Sequence, residues 1–197
     1  MTGRYLENHF TPQVLEAQEH YYGRSQKVTP QPERDLLTEE EVAFIAQRDS
    51  FYIATVASNG WPYLQHRGGS RGFLKVIEPN VLAFPDYRGN RQLLSTGNVA
   101  SNNRVALFLM DYPRRERLKL MGYARVVDVK DAPELAAQVT EPGMQESVER
   151  IFRLEVISYN WNCSQYITPR FTEEEVRETT KPLLERIAKL EAELNKR

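Results

Sequence analysis

Residue types that bind phosphate are concentrated between positions 67 and 98, where they form two turns. The first turn consists of Arg67, Gly68, Gly69, Ser70 and Arg71. Small residues let a backbone approach a ligand closely, and arginines can donate bidentate, charge-assisted hydrogen bonds to a phosphate. This turn is therefore a candidate contact for an anionic ligand.

The second turn has the same chemistry and precedes a predicted short helix over residues 92–99. It consists of Arg88, Gly89, Asn90 and Arg91. The unsatisfied amides and the positive dipole end at the start of that helix would reinforce an anion site. A purely structural interpretation also fits each turn taken alone, because Gly and Asn are the ordinary residues of turns with positive φ.

A third cluster, rich in aromatic and amide side chains, follows the last predicted strand. It consists of Tyr159, Asn160, Trp161, Asn162, Cys163, Ser164, Gln165 and Tyr166. Trp161 can stack on a flat heteroaromatic ring, and Asn162 or Gln165 can hydrogen-bond to its polar edge. The alternative is a plug that closes a barrel, for which apolar residues would be better suited. Cys163 is interpreted as a small buried hydrophobe rather than a redox thiol.

Short β-rich runs separated by turn residues must position these clusters. Residues 51–57 and 61–67 predict a hairpin across Ser58-Asn59-Gly60, and residues 72–78 and 81–84 predict a second. Residues 104–112 and 117–129 predict two further strands, and residues 151–158 predict the last one. Few helices separate the strands. The fold class expected is therefore mainly β with flanking helices (α+β), a six-stranded antiparallel barrel or sandwich rather than a doubly wound sheet.

Helices are predicted at both ends of the chain. Thr11 and Pro12 begin one that Gly23 ends, and a capping box of Thr38 and Glu41 begins another that runs to Arg48. A third capping box precedes a helix over residues 172–195, whose apolar stripe is expected to pack on its own barrel or a partner subunit, since it has too few heptads for a long coiled coil. The expected domains are an N-terminal helix and arm (1–37), a barrel domain (38–170) and a C-terminal helix (171–197).

Composition limits the possible classes of function. Residues 66–125 contain eleven Lys or Arg against four Asp or Glu, within a chain of net charge −1. This local excess suggests an anionic small-molecule partner rather than a nucleic acid, although charged strand edges give the same pattern. The longest apolar runs are too short to span a membrane, and the first ten residues lack the apolar region of a secretory signal. The single cysteine rules out an intramolecular disulfide framework and fits a reducing compartment. A cytoplasmic location is therefore expected. The three histidines lack metal-ligand spacing, so no metal is expected.

The order of these elements resembles the FMN-binding split barrel of the pyridoxamine 5′-phosphate oxidase family. The resemblance covers roughly residues 38–165 and includes Phe84 at a strand end, Asn102-Asn103-Arg104 before an apolar strand, and Gly122 within a strand. The strings FPDYRGNRQ, STGN and YNWNCSQYI are similar to a branch of oxidase-related FMN-binding proteins. The segments that bind pyridoxal phosphate in the oxidase are missing, so oxidation of vitamin B6 is not expected.

The resemblance implies a homodimer with FMN at its interface. The implied contacts are Arg67, Gly68, Gly69 and Ser70 at the phosphate and flavin edge, Pro85 and Asp86 along the ring, and Arg91 and Gln92 at the phosphate tail. Arg117 corresponds to a polar residue near the flavin, where its charge could stabilise the anionic reduced form; pairing with Asp111 or Glu116 is the alternative.

The implied function is that of an FMN-dependent oxidoreductase that transfers hydride or electrons between a reduced nicotinamide or small-molecule donor and an acceptor. The alternative is a non-catalytic protein that binds flavin, stores electrons or sequesters a ligand, because fold and cofactor do not guarantee turnover. Related split barrels also bind haem or a deazaflavin, so the chromophore itself is part of the hypothesis.

Overall fold

A computed structural model describes residues 3–27, 29–161 and 165–195 of the chain. The helices are α1 Gly3–His9, α2 Pro12–Tyr22, α3 Glu39–Ala46, α4 Leu94–Ser101, α5 Pro133–Val139 and α6 Glu173–Leu194. The strands are β1 Ser50–Val56, β2 Pro62–Gly68, β3 Lys75–Glu78, β4 Val81–Tyr87, β5 Arg104–Asp111, β6 Glu116–Asp128 and β7 Val148–Trp161. Two compact units are present, one of residues 1–110 with 117–163 and the other of residues 111–116 with 164–197.

One antiparallel sheet contains all the strands, in the order β2-β1-β5-β6-β7-β4-β3. The expected class, mainly β with flanking helices, is confirmed. The sheet has seven strands where six were expected, and they correspond to the seven β-rich runs of the sequence. The register places Phe84 opposite Phe152 and Asp86 opposite Arg150 across the β4–β7 pair.

The core lies between the inward faces of the strands and α3. β1 alternates strictly between buried and partly exposed residues, as a strand with one face on a core does. Phe51 is central, since its ring lies 5.5 Å from that of Phe73 and 5.0 Å from that of Phe84, and the ring of Phe84 in turn stacks at 5.0 Å on that of Phe152. These aromatic contacts link β1, near one end of the strand order, to β4 and β7, near the other end.

Most predicted helices occur at their expected positions. The Thr11 cap and Gly23 enclose α2, and the capping box of Thr38 and Glu41 begins α3. The first helix, α1, was not predicted. α4 begins two residues later than expected, because the turn of residues 88–93 is longer than the sequence suggested.

The last strand is longer than its predicted range, residues 151–158. It extends from Val148 to Trp161, so Tyr159, Asn160 and Trp161 belong to the strand and do not follow it. β6, which is 13 residues long, pairs with this strand from Arg150, opposite Asp128, to Trp161, opposite Leu118, with one irregularity in register. The extension also includes Arg150, which matters for the site described below.

The arm before α3 is attached to the sheet by side chain and backbone. The amide of Asp35 donates to the carbonyl of Ile157 at 2.9 Å, and the amide of Leu37 donates to Oδ1 of Asn80 at 2.8 Å. Asn80 adopts φ 61°, a left-handed turn conformation that Asn tolerates. The domain boundaries expected from the sequence stay a prediction.

Within the described ranges, no helix has both the length and the apolar character required to cross a membrane.

Candidate functional site

A cleft of about 210 Å³ lies where the end of β2, the end of β4, the start of β7 and the turn before α4 meet. Its lining residues are Tyr63, Gln65, Arg67, Asp86, Tyr87, Arg88, Gly89, Asn90, Arg91, Gln92, Leu93, Leu94, Ser95, Thr96, Glu149 and Arg150. Four of these are arginines and two are acids, so the ionised side chains of the lining sum to a charge of +2. The cleft is therefore electrostatically suited to an anion.

Asp86 is the acid at the centre of this arrangement and is 4% exposed. Its Oδ1 accepts a hydrogen bond from Nη1 of Arg67 at 2.5 Å, and its Oδ2 accepts one from Nε of Arg150 at 3.1 Å. One buried carboxylate thus fixes two guanidinium groups that are distant from each other in the sequence. Because a guanidinium has five N–H donors, each arginine retains donors for a further partner.

The guanidinium of Arg67 is also held by aromatic rings of the core. Its central carbon lies 5.2 Å from the ring centre of Phe152 and 5.8 Å from that of Phe84, distances at which a cation is attracted to a ring face. Its Nε is buried and has no hydrogen-bond partner among the residues that the structure describes. A buried donor without a partner is unusual and indicates that a further acceptor belongs at this place.

The outer rim of the cleft is formed by a second set of ion pairs. Nε of Arg88 lies 3.3 Å from Oε1 of Glu149, and Nη1 of Arg150 lies 3.1 Å from Oε2 of the same carboxylate. Arg88 is half exposed, so its pair with Glu149 contributes little to stability. This arginine is consequently available to reorient toward a ligand at low cost.

The turn before α4 adopts a strained backbone that ends in an uncapped helix. Arg91 and Leu93 both have positive φ, at 63° and 54°, although neither is glycine. Leu93 is the N-cap residue and provides no side-chain hydrogen bond to the first turn of α4. The first-turn amides therefore lack a side-chain acceptor, and their residues line the cleft together with Arg91. Strain of this kind is found at ligand-binding turns.

The structure brings together six of the residues predicted for the site. They are Arg67, Asp86, Arg88, Asn90, Arg91 and Gln92. Asn90 and Gln92 shape the turn, because the amide of Gln92 donates to Oδ1 of Asn90 at 3.1 Å and the two side chains hydrogen-bond at 3.2 Å. The two basic turns thus converge through Arg67, at the end of β2, and the residues before α4.

The small residues of the first turn, Gly68, Gly69 and Ser70, do not line the cleft. The amide of Gly69 donates to the carbonyl of Asp49 at 2.9 Å, and a Cβ at this position would lie 2.7 Å from the ring of Phe73. The small size of Gly69 is therefore required for packing of the turn on the core. Pro85 is buried in β4 opposite Ile151 and is also absent from the lining.

Arg117 and Trp161 do not line the cleft, Gln165 belongs to the second unit, and Asn162 falls outside the described residues. Arg117, on β6, places its guanidinium 6.0 Å from the ring of Phe108. Gln165 is exposed in the second unit. Asn162, together with Cys163, lies outside the residues that the structure describes. The roles of these residues stay predictions.

Trp161 contacts α3. Its indole Nε1 donates to Oε1 of Glu41 at 2.6 Å, and its ring packs edge-on against Phe44 with 4.8 Å between centres. Burial alone would raise the pKa of Glu41, but hydrogen bonds from Thr38 and Trp161 outweigh it and lower that pKa. Burial and the nearby Glu41 raise the pKa of Tyr159 to about 12, so this phenol stays protonated. The cluster anchors the end of β7.

Sequence reasoning missed several residues that complete the cleft, above all Arg150 and Glu149. They lie in a strand whose predicted start was Ile151, and no local motif distinguishes them. Only the antiparallel register of β4 with β7, which places Arg150 opposite Asp86, identifies them. Tyr63 and Gln65 face the cleft from alternate positions of β2, and Gln65 accepts a hydrogen bond from the hydroxyl of Ser95 at 2.7 Å.

Comparison with known proteins gives one family match. The family model described as pyridoxamine 5′-phosphate oxidase matches residues 37–161. A proposed pyridoxamine 5′-phosphate oxidase from Lactobacillus delbrueckii has a similar structure, with a TM-score of 0.50, 22% identity, and coverage of 64% of this chain and 93% of that one. This likeness confirms the antiparallel split-barrel fold.

Two other solved structures are similar at lower TM-scores. General stress protein 26 from Bacillus anthracis has a TM-score of 0.48 and 14% identity, with coverage of 68% of this chain and 95% of its own. An FMN-binding protein from Syntrophomonas wolfei has a TM-score of 0.45 and 8% identity, with coverage of 62% and 83%. No curated protein matches the chain with significant similarity.

Proposed function

This chain belongs to the pyridoxamine 5′-phosphate oxidase family, and from that premise we propose that it binds FMN in the arginine-rich cleft and acts as a flavin-dependent oxidoreductase on a small molecule. The observation that supports this proposal most directly is the charge of the cleft. Its lining sums to +2, and a phosphomonoester has a charge of about −1.5 to −2 at neutral pH. The terminal phosphate of FMN is such a group.

The donors of the cleft fit that phosphate. Arg67 and Arg150 are oriented in advance by Asp86, so little side-chain entropy is lost when they bind an anion. Arg91 and the uncapped amides at the start of α4 lie beside them, and a helix N-terminus favours an anion through its amides and its dipole. We propose that these groups hold the phosphate, with the unpartnered Nε of Arg67 among the donors.

Bound FMN would supply hydride and electron transfer at its isoalloxazine ring. The residues of this chain bind the phosphate, orient the cofactor and tune its electronics. A cleft of about 210 Å³ suits the phosphate and part of the ribityl chain. We propose that a second copy of the chain completes the site in a homodimer and places its own Arg117 near the ring, where a positive charge stabilises the anionic reduced flavin.

Titration with FMN and with riboflavin, which lacks the phosphate, tests the binding proposal. The quenching of flavin fluorescence measures both dissociation constants. Because each charge-assisted hydrogen bond contributes about 1.5–3 kcal/mol, we expect FMN to bind at least about tenfold more tightly than riboflavin. Equal affinities for the two flavins, or no binding of either, would contradict the proposal.

Anaerobic reduction separates an oxidoreductase from a protein that only stores or sequesters flavin. NADH, NADPH and dithionite are added in turn to the flavin-loaded protein, and the visible absorbance is followed. An oxidoreductase that uses a nicotinamide donor bleaches with NADH or NADPH and recovers its colour with an added acceptor. Bleaching with dithionite alone would favour the storage alternative over turnover with a nicotinamide.

A further inference from the structure

Five aliphatic residues of α6, together with Thr180, follow a heptad spacing, and Leu184 lies beside this stripe. Successive members are separated alternately by four and three positions, and we call these six residues the seam: Val176, Thr180, Leu183, Ile187, Leu190 and Leu194. Five of the six are aliphatic. Spacing that alternates in this way keeps one stripe on one side of a helix and is the signature of helix pairing in a coiled coil.

The five aliphatic residues of the seam are exposed. None of the residues of α6 that the structure describes is buried, and Leu183 and Ile187 are 62% and 51% exposed. An aliphatic stripe of this length in contact with water is unfavourable and indicates an interaction surface. The capping box of Thr172 and Glu175 fixes the start of the helix just before the seam begins.

We propose that α6 pairs with α6 of a second copy of this chain to form a short, parallel, two-stranded coiled coil. The types of aliphatic residue in the seam match a parallel, two-stranded coiled coil. Thr180, Ile187 and Leu194 occupy the a positions, while Val176, Leu183 and Leu190 occupy the d positions. A β-branched residue at a with Leu at d favours two parallel strands, and the central layers of the seam have this combination at Leu183, Ile187 and Leu190.

One pair of charged residues that flank the seam favours a parallel orientation. Arg186 occupies a g position and Glu191 the following e position, which are the positions that meet between parallel helices. Each Arg186 therefore faces Glu191 of the other copy, twice per dimer. An antiparallel pair with the same apolar layers would place the two copies of Arg186 next to each other at its centre. Two copies of one chain are thus complementary to each other.

Pro182 is compatible with this pairing because of its position. It occupies a c position, on the side away from the seam, where its ring does not enter the interface. The other outward positions are mostly charged or small, among them Glu178, Lys181, Glu185 and Ala188. The length of α6 permits about three heptads, which is short for a coiled coil and consistent with the absence of a longer repeat in the sequence.

Disulfide trapping in the full-length chain tests the pairing. Cys163 is first replaced by Ser, so that the introduced thiol is the only one. Leu190→Cys places a thiol in the seam, and the matched control Glu185→Cys places one on the outward side of the same helix. In a glutathione redox buffer, we expect the Leu190→Cys chain to shift to a covalent dimer on a non-reducing gel, while the Glu185→Cys chain stays monomeric on that gel.

A charge exchange distinguishes the proposed register from non-specific contact. Arg186→Glu in the Leu190→Cys background should reduce the covalent dimer, and adding Glu191→Arg should restore it. The proposal is overturned if Leu190→Cys does not cross-link, if the outward control cross-links equally, or if Arg186→Glu has no effect. Circular dichroism of each variant confirms that the chain is folded before its cross-linking is interpreted. None of these readouts depends on flavin.

Discussion

Asp86 and Arg150 lie opposite each other across the β4–β7 pair, and Oδ2 of Asp86 accepts a hydrogen bond from Nε of Arg150 at 3.1 Å. The other oxygen of the same carboxylate binds Arg67. A carboxylate that is 4% exposed thus orders two cations at one end of the cleft. In the proposed function these cations are part of the phosphate site.

Arg150→Ala should weaken FMN binding about tenfold or more, because it removes a charge-assisted donor that Asp86 holds in place. Fluorescence titration of FMN measures the change. Arg153→Ala is the matched control, since Arg153 is on the same strand but contacts Glu78 at 3.4 Å and does not line the cleft. Equal affinities of the two variants would remove Arg150 from the site.

Arg91→Ala should lower the retention of FMN during purification and leave the thermal unfolding temperature of the flavin-free protein nearly unchanged. Arg91 is exposed and has no place in the core, so its removal changes affinity rather than packing. The ratio of flavin to protein absorbance gives the occupancy. Lys130→Ala is the control for loss of a positive charge, since Lys130 is exposed and does not line the cleft. Unchanged flavin occupancy in Arg91→Ala would exclude a role for this side chain.

Gly69→Ala should destabilise the protein by about 1–3 kcal/mol, because the added methyl would overlap the ring of Phe73 at 2.7 Å. Gly89→Ala is matched to it, since no atom lies within 4 Å of the added Cβ and the backbone there is not left-handed. We expect the control to change stability by less than about 0.5 kcal/mol. Urea unfolding measures both values, and similar stabilities would show that Gly69 is not required for packing.

Glu41 should make the stability of the protein depend on pH at the acidic end. Its pKa in the folded state is lowered from the ordinary value of 4.5, so its stabilising contribution is complete above that value and is lost as the pH falls through the folded pKa. Glu41→Gln removes this dependence and keeps an acceptor for Trp161. Unfolding free energies measured across this acidic range should therefore converge for the two proteins as the pH falls. If the difference in unfolding free energy between the two proteins does not change with pH, the titration of Glu41 does not contribute to stability.

The sequence predicted the elements whose signals are local. Capping residues gave the starts of α2, α3 and α6, because a side chain that caps a helix is adjacent to it in the sequence. The turn Ser58-Asn59-Gly60 gave the first hairpin for the same reason. α1 was missed since it is a short helix with no acidic residue in its first turn and no buried residue.

The site was only partly predictable, because its completion depends on long-range register. Arg88 and Arg91 could be identified from a single turn, and Arg67 from another. The pairing of Asp86 with Arg150 joins residues 64 positions apart in the sequence, and no short motif encodes it. The packing role of Gly69 was not predictable for a related reason: Phe73 is four residues away from Gly69, and their contact appears only in the folded turn.

The central claim is that this chain binds FMN, and identification of the chromophore released from the purified protein tests it most directly. The protein is denatured, the small-molecule fraction is separated, and its mass spectrum is compared with that of authentic FMN. We predict a yellow protein that releases FMN. A protein that releases haem or a deazaflavin, or one that is colourless and does not bind added FMN, would contradict the account.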